Sequence, residues 1–196
     1  MSALIAFEGL DQSGKETQAR LLRARLEAKG HRVEMLTFPD DGTPLGKDIR
    51  AALAGTRDHA PDVMQLLYIA NRHERRADIA RWLADGAVVL CDRYLASSIA
   101  YGEAQGVDAG WLTEVQRLLP QPDLTLLLDI APATALARKQ ANRDRYERDL
   151  DLLARVRDSY RRLAQQPSWQ LIDGEQPRES VSAMINETVA TRLALP

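Results

Sequence analysis

Gly9, Gly14 and Lys15 punctuate the stretch "FEGLDQSGKETQ" (Phe7 to Gln18), a spacing of glycines and lysine suited to wrapping phosphate groups. Glycines let the backbone of Gly9-Leu10-Asp11-Gln12-Ser13-Gly14-Lys15 turn so that successive N–H groups face one concavity, and a following helix N-terminus adds favourable partial charge. Lys15 then supplies a mobile full charge for the β- and γ-phosphates of a nucleotide. The chemistry implied is triphosphate binding followed by phosphoryl transfer. Glu16 is irregular, because a Ser or Thr hydroxyl at that position commonly helps hold Mg²⁺; here the hydroxyl comes one residue later, at Thr17. Glu16 has two readings. It is a first-turn helix acid turned away from the phosphates, or a carboxylate ligand of the metal. The first is favoured, since an unpaired carboxylate beside a triphosphate would repel it.

Phosphoryl transfer requires positioning and charge neutralisation, so a second anion site should face the loop. Tyr68 and Arg72 in "LLYIANRHERR" stand four apart, on one face of a helix, where a ring and a guanidinium can close on one ligand. Taken alone, the pair reads more readily as a core tyrosine and a surface arginine. Asp92 and Arg93 follow the apolar run "AVVLC", where a charge pair has little structural reason. Asp92 there suits the organisation of Mg²⁺ and its waters, and Arg93 a two-pronged grip on phosphate. Residues Arg138 to Asp149, "RKQANRDRYERD", read either as a solvated helix face or as a basic lid beyond a strand end at Asp129.

These groups must be placed by the elements around them. The runs "ALIAF" (Ala3 to Phe7), "AVVLC" (Ala87 to Cys91) and "LTLLLDI" (Leu124 to Ile130) read as strands buried on both faces, with weaker candidates at Arg32 to Phe38 and Ser168 to Asp173. Helical patterns cover Lys15 to Lys29, Pro44 to Leu53, Pro61 to Ala84, Gly110 to Leu119, Pro132 to Ala141, Glu147 to Ala164 and Pro177 to Leu193. Strands alternating with helices predict an α/β fold: a three-layer, doubly wound parallel sheet of about five strands, of P-loop type, with a short lid at about 138–149. The 196 residues, 45% hydrophobic and 28% charged, suit a single globular domain, 1–196. A net charge of −2 gives no general case for nucleic-acid binding. Cys91 is the only cysteine and reads as a buried, inert thiol; no run approaches the ~18 apolar residues of a membrane span, so a cytoplasmic protein is expected.

Together the motifs resemble the thymidylate kinase family. Its pattern "FEGxDxxGK" matches Phe7 to Lys15, and its "FP" matches Phe38-Pro39. Its aromatic-x-A-N-R matches Tyr68 to Arg72, its "DRYxxSxxAY" matches Asp92 to Tyr101, and its "DRxE" after a lid matches Asp144 to Glu147. The resemblance runs from about Leu4 to Asp173 and implies transfer of the γ-phosphoryl of MgATP to dTMP by a homodimer. It implies that the loop Gly9 to Thr17 binds ATP, Lys15 and Thr17 holding donor phosphates with the Thr17 hydroxyl near the metal. Asp11 would contact the acceptor's 3'-hydroxyl and help arrange Mg²⁺; Arg93 would bind the monophosphate. Tyr68 would stack on the base, Arg72 would read its carbonyl edge, and Phe38 would line the same pocket. Ser97, Ser98 and Gln105 would lie near the acceptor, and Tyr101 would fill the space a ribose 2'-hydroxyl needs. Three features depart from the family pattern. Gln12 stands where some relatives have a loop arginine, which sends the search for a catalytic arginine to Arg143 and Arg145, with Arg138 behind them. Asp40-Asp41 follows "FP" where a basic residue is common, and Glu16 follows the lysine. Two alternatives therefore stand beside the main reading: a kinase for another nucleotide or deoxynucleoside acceptor, and a nucleotide-binding module impaired by Glu16 and Asp41.

Overall fold

A computed structural model describes residues 2–138 and 149–195. Its sheet contains β1 (Ala3–Glu8), β2 (Val33–Thr37), β3 (Val88–Asp92), β4 (Leu124–Asp129) and β5 (Trp169–Asp173). All pairings are parallel, in the order β2-β3-β1-β4-β5. Period-2 alternation between two covered faces explains why β1, β3 and β4 are buried at every position, whereas the edge strands β2 and β5 are not. Ala3, Ile5 and Phe7 of β1 face a core shared with α1 (Lys15–Ala28) and α9 (Arg178–Leu193), through Leu22, Leu26, Val181 and Ile185. Leu4 and Ala6 point to the opposite layer, where they meet Val89, Cys91 and Ile79. Burial pushes the Cys91 thiol upward, in keeping with an inert core residue.

The other helices among the described residues are α2 (Pro44–Leu53), α3 (Pro61–Glu74), α4 (Arg76–Ala84), α5 (Leu95–Ala104), α6 (Ala109–Val115), α7 (Pro132–Arg138) and α8 (Leu150–Leu163). The pattern expected to run unbroken from Pro61 to Ala84 divides at Arg75. That residue's N–H bonds to the Arg72 carbonyl three residues back, while its guanidinium binds Asp40 at 2.6 Å. A three-residue step of this kind ends an α-helix. The helix expected from Glu147 begins at Leu150, where the Asp149 carboxylate caps the Leu152 N–H at 2.9 Å. The helix expected at Gly110 to Leu119 stops at Val115.

α5 has no counterpart in the hydrophobic pattern. Leu95, Ala96, Ser97, Ser98, Ala100, Gly102 and Ala104 are all buried, so the helix is enclosed on most sides and shows no polar face to reveal its period.

The order of the sheet places the functional loops. From β1 the chain builds β2 and β3 on one side, then crosses to β4 and β5 on the other. The carboxyl ends of β1, β3 and β4, at Glu8, Asp92 and Asp129, therefore open on one crevice, the usual ligand site of an open α/β sheet. Most of the expected lid, including Arg143 and Arg145, lies outside the described residues.

Candidate active site

A cavity of about 1000 Å³ opens at that crevice. Its lining includes Asp11 to Thr17 of the phosphate loop and Phe38, Tyr68, Arg72, Asp92, Arg93, Ser97, Ser98 and Tyr101. Residues separated by ninety positions in the chain thus share one wall. Gly9, Leu10 and Gln105 are not part of the lining among the described residues. Gly9 works through its backbone. Its φ of 137° and a would-be Cβ only 2.4 Å from the Leu128 carbonyl oxygen leave no room for a side chain as the loop leaves β1. Leu10 is buried in the core, and its carbonyl accepts a hydrogen bond from Lys15 Nζ at 2.8 Å. Gln105 ends α5 and donates to the Tyr101 carbonyl at 2.8 Å.

Arg93 is the hub. It follows β3 with φ 63°, a left-handed conformation that bulky residues seldom adopt outside functional sites, and its N–H donates to the Phe7 carbonyl at 2.9 Å. One terminal nitrogen donates to Asp11 Oδ1 at 2.8 Å and to the Tyr101 hydroxyl at 3.4 Å. The other donates to the Ser97 hydroxyl at 3.1 Å and the Tyr160 hydroxyl at 3.3 Å. The guanidinium also stands 5.3 Å from the Tyr101 ring centroid. Burial disfavours its charge, but Asp11 overcomes this and raises the Arg93 pKa well above its ordinary value. Burial likewise raises the Asp11 carboxyl, yet Arg93 and Lys15 outweigh it and hold the carboxyl well below the usual carboxylate range. Arg93 and Asp11 are therefore both charged at neutral pH.

Glu8 was not singled out in the sequence, although it ends an apolar run as Asp92 does. It is fully buried and accepts hydrogen bonds from the Tyr94 N–H at 2.8 Å, the Ser97 N–H at 3.2 Å, the Ser97 hydroxyl at 2.7 Å and the Tyr160 hydroxyl at 2.9 Å. A carboxylate at the N-terminus of α5 satisfies donors the helix cannot satisfy itself. It also fixes Ser97 and Tyr160, the two hydroxyls that hold one arm of Arg93. Tyr160 comes from α8, and no local signal in the sequence ties it to the site.

Opposite the loop, α3 presents Tyr68 and Arg72, and Phe38 follows β2. Arg72 is 2% exposed, donates to the Ser98 hydroxyl at 2.7 Å and lies 5.9 Å from the Phe38 ring centroid. A planar cation held between a ring and a hydroxyl is preset to meet a flat ligand.

The irregular acids have partners. Glu16 accepts two hydrogen bonds from Arg20, at 3.1 and 2.8 Å, with 60% of its side chain exposed. Glu16 thus has an arginine partner in the first turns of α1 while still lining the cavity. We expect Glu16→Ala to change turnover less than about twofold, as for other exposed i,i+4 pairs, with the Mg²⁺ dependence unchanged in a titration. Asp40 pairs with Arg75, and Asn71 bonds both its N–H and its carbonyl. Asp41 pairs with Arg50 of α2, which itself lines the cavity and returns positive charge to the segment after Phe38-Pro39. Arg138 of α7 donates to the Gln12 carbonyl and the Gly174 carbonyl, both at 3.1 Å, and so stands against the phosphate loop.

The family model described as Thymidylate kinase matches residues 7–185. The chain belongs to the thymidylate kinase family. It is 40% identical over 200 residues to the thymidylate kinase of Thermomicrobium roseum, covering 96% of this chain and 95% of that one. It is 36% identical over 187 residues to the thymidylate kinase of Arabidopsis thaliana, covering 95% of this chain and 70% of the plant protein. Among solved structures, the thymidylate kinase of Candida albicans matches with a TM-score of 0.85 at 30% identity, covering 100% of this chain and 94% of the other. The thymidylate kinase fold is a P-loop NTPase fold, in agreement with the five-stranded parallel sheet and the loop after β1.

Proposed function

We propose that this protein transfers the γ-phosphoryl group of ATP to dTMP, giving dTDP and ADP, as a single kinase domain. The observation that carries the reading is the Arg93–Asp11 ion pair at 2.8 Å, set between the Lys15 loop and the Tyr68–Arg72 face of α3. Lys15 and the loop N–H groups would hold the donor phosphates. Arg93 would grip the acceptor phosphate, and an oxygen of that phosphate would attack the γ-phosphorus in line as the bond to the ADP oxygen breaks. The attacking oxygen is already anionic, so no general base is needed. Tyr68 and Phe38 would enclose the base, with Arg72 and Ser98 at its polar edge.

The site fits Mg²⁺. Asp92 Oδ1 is buried without a hydrogen-bond partner among the described residues, and the Thr17 hydroxyl lines the same cavity. Carboxylate and hydroxyl oxygens suit this hard cation, with nucleotide oxygens and water completing its shell. When bound, the ion would neutralise charge on the β- and γ-phosphates. Asp11 is the third oxygen donor expected near it.

Tyr101 donates to Asp11 at 3.3 Å and its ring packs edge-on against Tyr160 at 6.5 Å, which supports a rigid steric gate at the sugar. Tyr101→Gly is expected to narrow the preference for deoxy over ribo acceptors by about tenfold or more, read from paired kcat/KM values for dTMP and ribothymidine monophosphate. An unchanged ratio would remove that role from Tyr101.

The functional reading includes a cytoplasmic homodimer. Among the described residues no helix is long and apolar enough to cross a membrane, and Val63, Leu66 and Trp111 leave apolar surface exposed on α3 and α6. Coupled ADP release with dTMP, dUMP, dCMP, dGMP and deoxythymidine tests the acceptor. The reading fails if dTMP is not among the best. Because Glu16 and Asp41 each have an arginine partner, nothing in the geometry favours an impaired module.

A further inference from the structure

We propose that Gln65 reads the imide edge of the acceptor's pyrimidine, a specificity role that rests on the functional reading above. Gln65, Tyr68 and Arg72 occupy positions i, i+3 and i+7 of α3 and so share one face of the helix. All three line the cavity. Gln65 is 1% exposed, yet neither its Nε2 nor its Oε1 has a hydrogen-bond partner among the described residues. Buried carboxamides are almost always satisfied, so one left open in a cavity wall calls for a ligand. Arg72 Nε is buried in the same wall and also has no partner among the described residues.

Packing against α5 confines the glutamine stem. A Cβ on Gly102 of α5 would fall 3.0 Å from Gln65 Cγ and 2.5 Å from Leu112 Cδ1. Only a glycine there lets α5 press this closely against the glutamine, which lines the cavity beside Tyr68 and Arg72. The unsatisfied atoms on this face of α3, among the described residues, are two donors, Arg72 Nε and Gln65 Nε2, and one acceptor, Gln65 Oε1. A pyrimidine-2,4-dione presents the complement: two carbonyl oxygens flanking one N–H. Cytosine replaces one carbonyl with an amine and the N–H with a bare nitrogen. Arg72 has no acceptor to offer that amine, so a flip of the glutamine amide cannot restore the match. The device selects diones over cytosine and is indifferent to the 5-methyl group.

The test is Gln65→Met, which keeps the stem and removes the amide, assayed with dTMP, dUMP and dCMP at saturating MgATP. The expected result is a rise of about tenfold in KM for dTMP and dUMP, and a similar fall in the preference for dTMP over dCMP, as befits loss of hydrogen bonds from a buried contact. The dTMP-to-dUMP ratio and the KM for ATP should not move. Unchanged KM for dTMP, or an unchanged dTMP-to-dCMP ratio, overturns the inference. Thermal unfolding without nucleotide is the second readout, and the variant should melt no lower than the wild type. A lower melting temperature would mean that the protein itself satisfies the amide, and would also overturn it. If the wild type does not phosphorylate dTMP, the functional reading falls first; if it does and the variant behaves like it, this inference alone falls.

Discussion

Replacing Arg93 with alanine lowers kcat/KM for dTMP by about 10³-fold, the scale seen when a preorganised group facing transition-state charge is removed. The affinity for ATP measured without acceptor should change by only a few fold, because Lys15 and the loop remain. Three consequences of the substitution act together. The acceptor phosphate loses a guanidinium that has two terminal nitrogens already aligned by Asp11, Tyr101, Ser97 and Tyr160. Asp11 loses its ion-pair partner at 2.8 Å and becomes a repulsive charge beside incoming phosphate. Glu8, Ser97 and Tyr160 keep their mutual bonds but no longer hold a guanidinium. Arg93→Lys, with one nitrogen in place of a fork, should recover only part of the loss. Equal damage to ATP and acceptor binding would count against the assigned place of Arg93.

The second large effect belongs to Lys15. Lys15→Met should reduce kcat/KM for ATP by about 10²-fold or more, since a full charge beside the transferring group is lost. A pH dependence accompanies it. Burial pushes Lys15 down to about 8, helped by Arg93 and opposed by Asp11, Asp92 and Glu8. In the nucleotide-free protein the lysine therefore releases its proton near pH 8, whereas the unfolded chain holds it to about 10.5. Between those values the unfolded state binds more protons, so stability rises with pH across this window, and the cost of burying the charge is fully present below it. ATP affinity should move the opposite way, falling as pH climbs through 8, because phosphate binds the charged form. Melting curves and ATP titrations of wild type and Lys15→Met across pH 7 to 10.5 test both trends. Parallel profiles for the two proteins would assign the titration to another group.

Much of this site was legible in the sequence because its chemistry is local. A phosphate loop needs glycines and a lysine within a few residues of a strand end, so "GLDQSGK" carries its own geometry. Asp92 and Arg93 were legible for a related reason: charges at the end of an apolar strand have little purpose except at a ligand site. The identity of α5 was not legible, since Ala96, Ala100 and Gly102 are enclosed on most sides and leave no polar face to set a period. The break at Arg75 was equally hidden, because Asp40, thirty-five residues earlier, helps anchor it.

What the sequence determined by itself was the class of chemistry and the order of its parts: a loop after β1, a charged pair after β3, an aromatic and an arginine on one face of a helix. Spacing within a strand end or a helix is dictated by covalent geometry, and the reader of a sequence has that geometry in hand. The tertiary structure decided which side chains meet. It turned Glu16 to Arg20, buried Glu8 under α5, brought Tyr160 from α8 to Arg93, and left the Gln65 carboxamide without a partner among the described residues. Those outcomes depend on contacts between elements far apart in the chain, where closing distance and the exclusion of water, rather than local spacing, set whether a polar group is paired, spent on the scaffold or kept for a ligand.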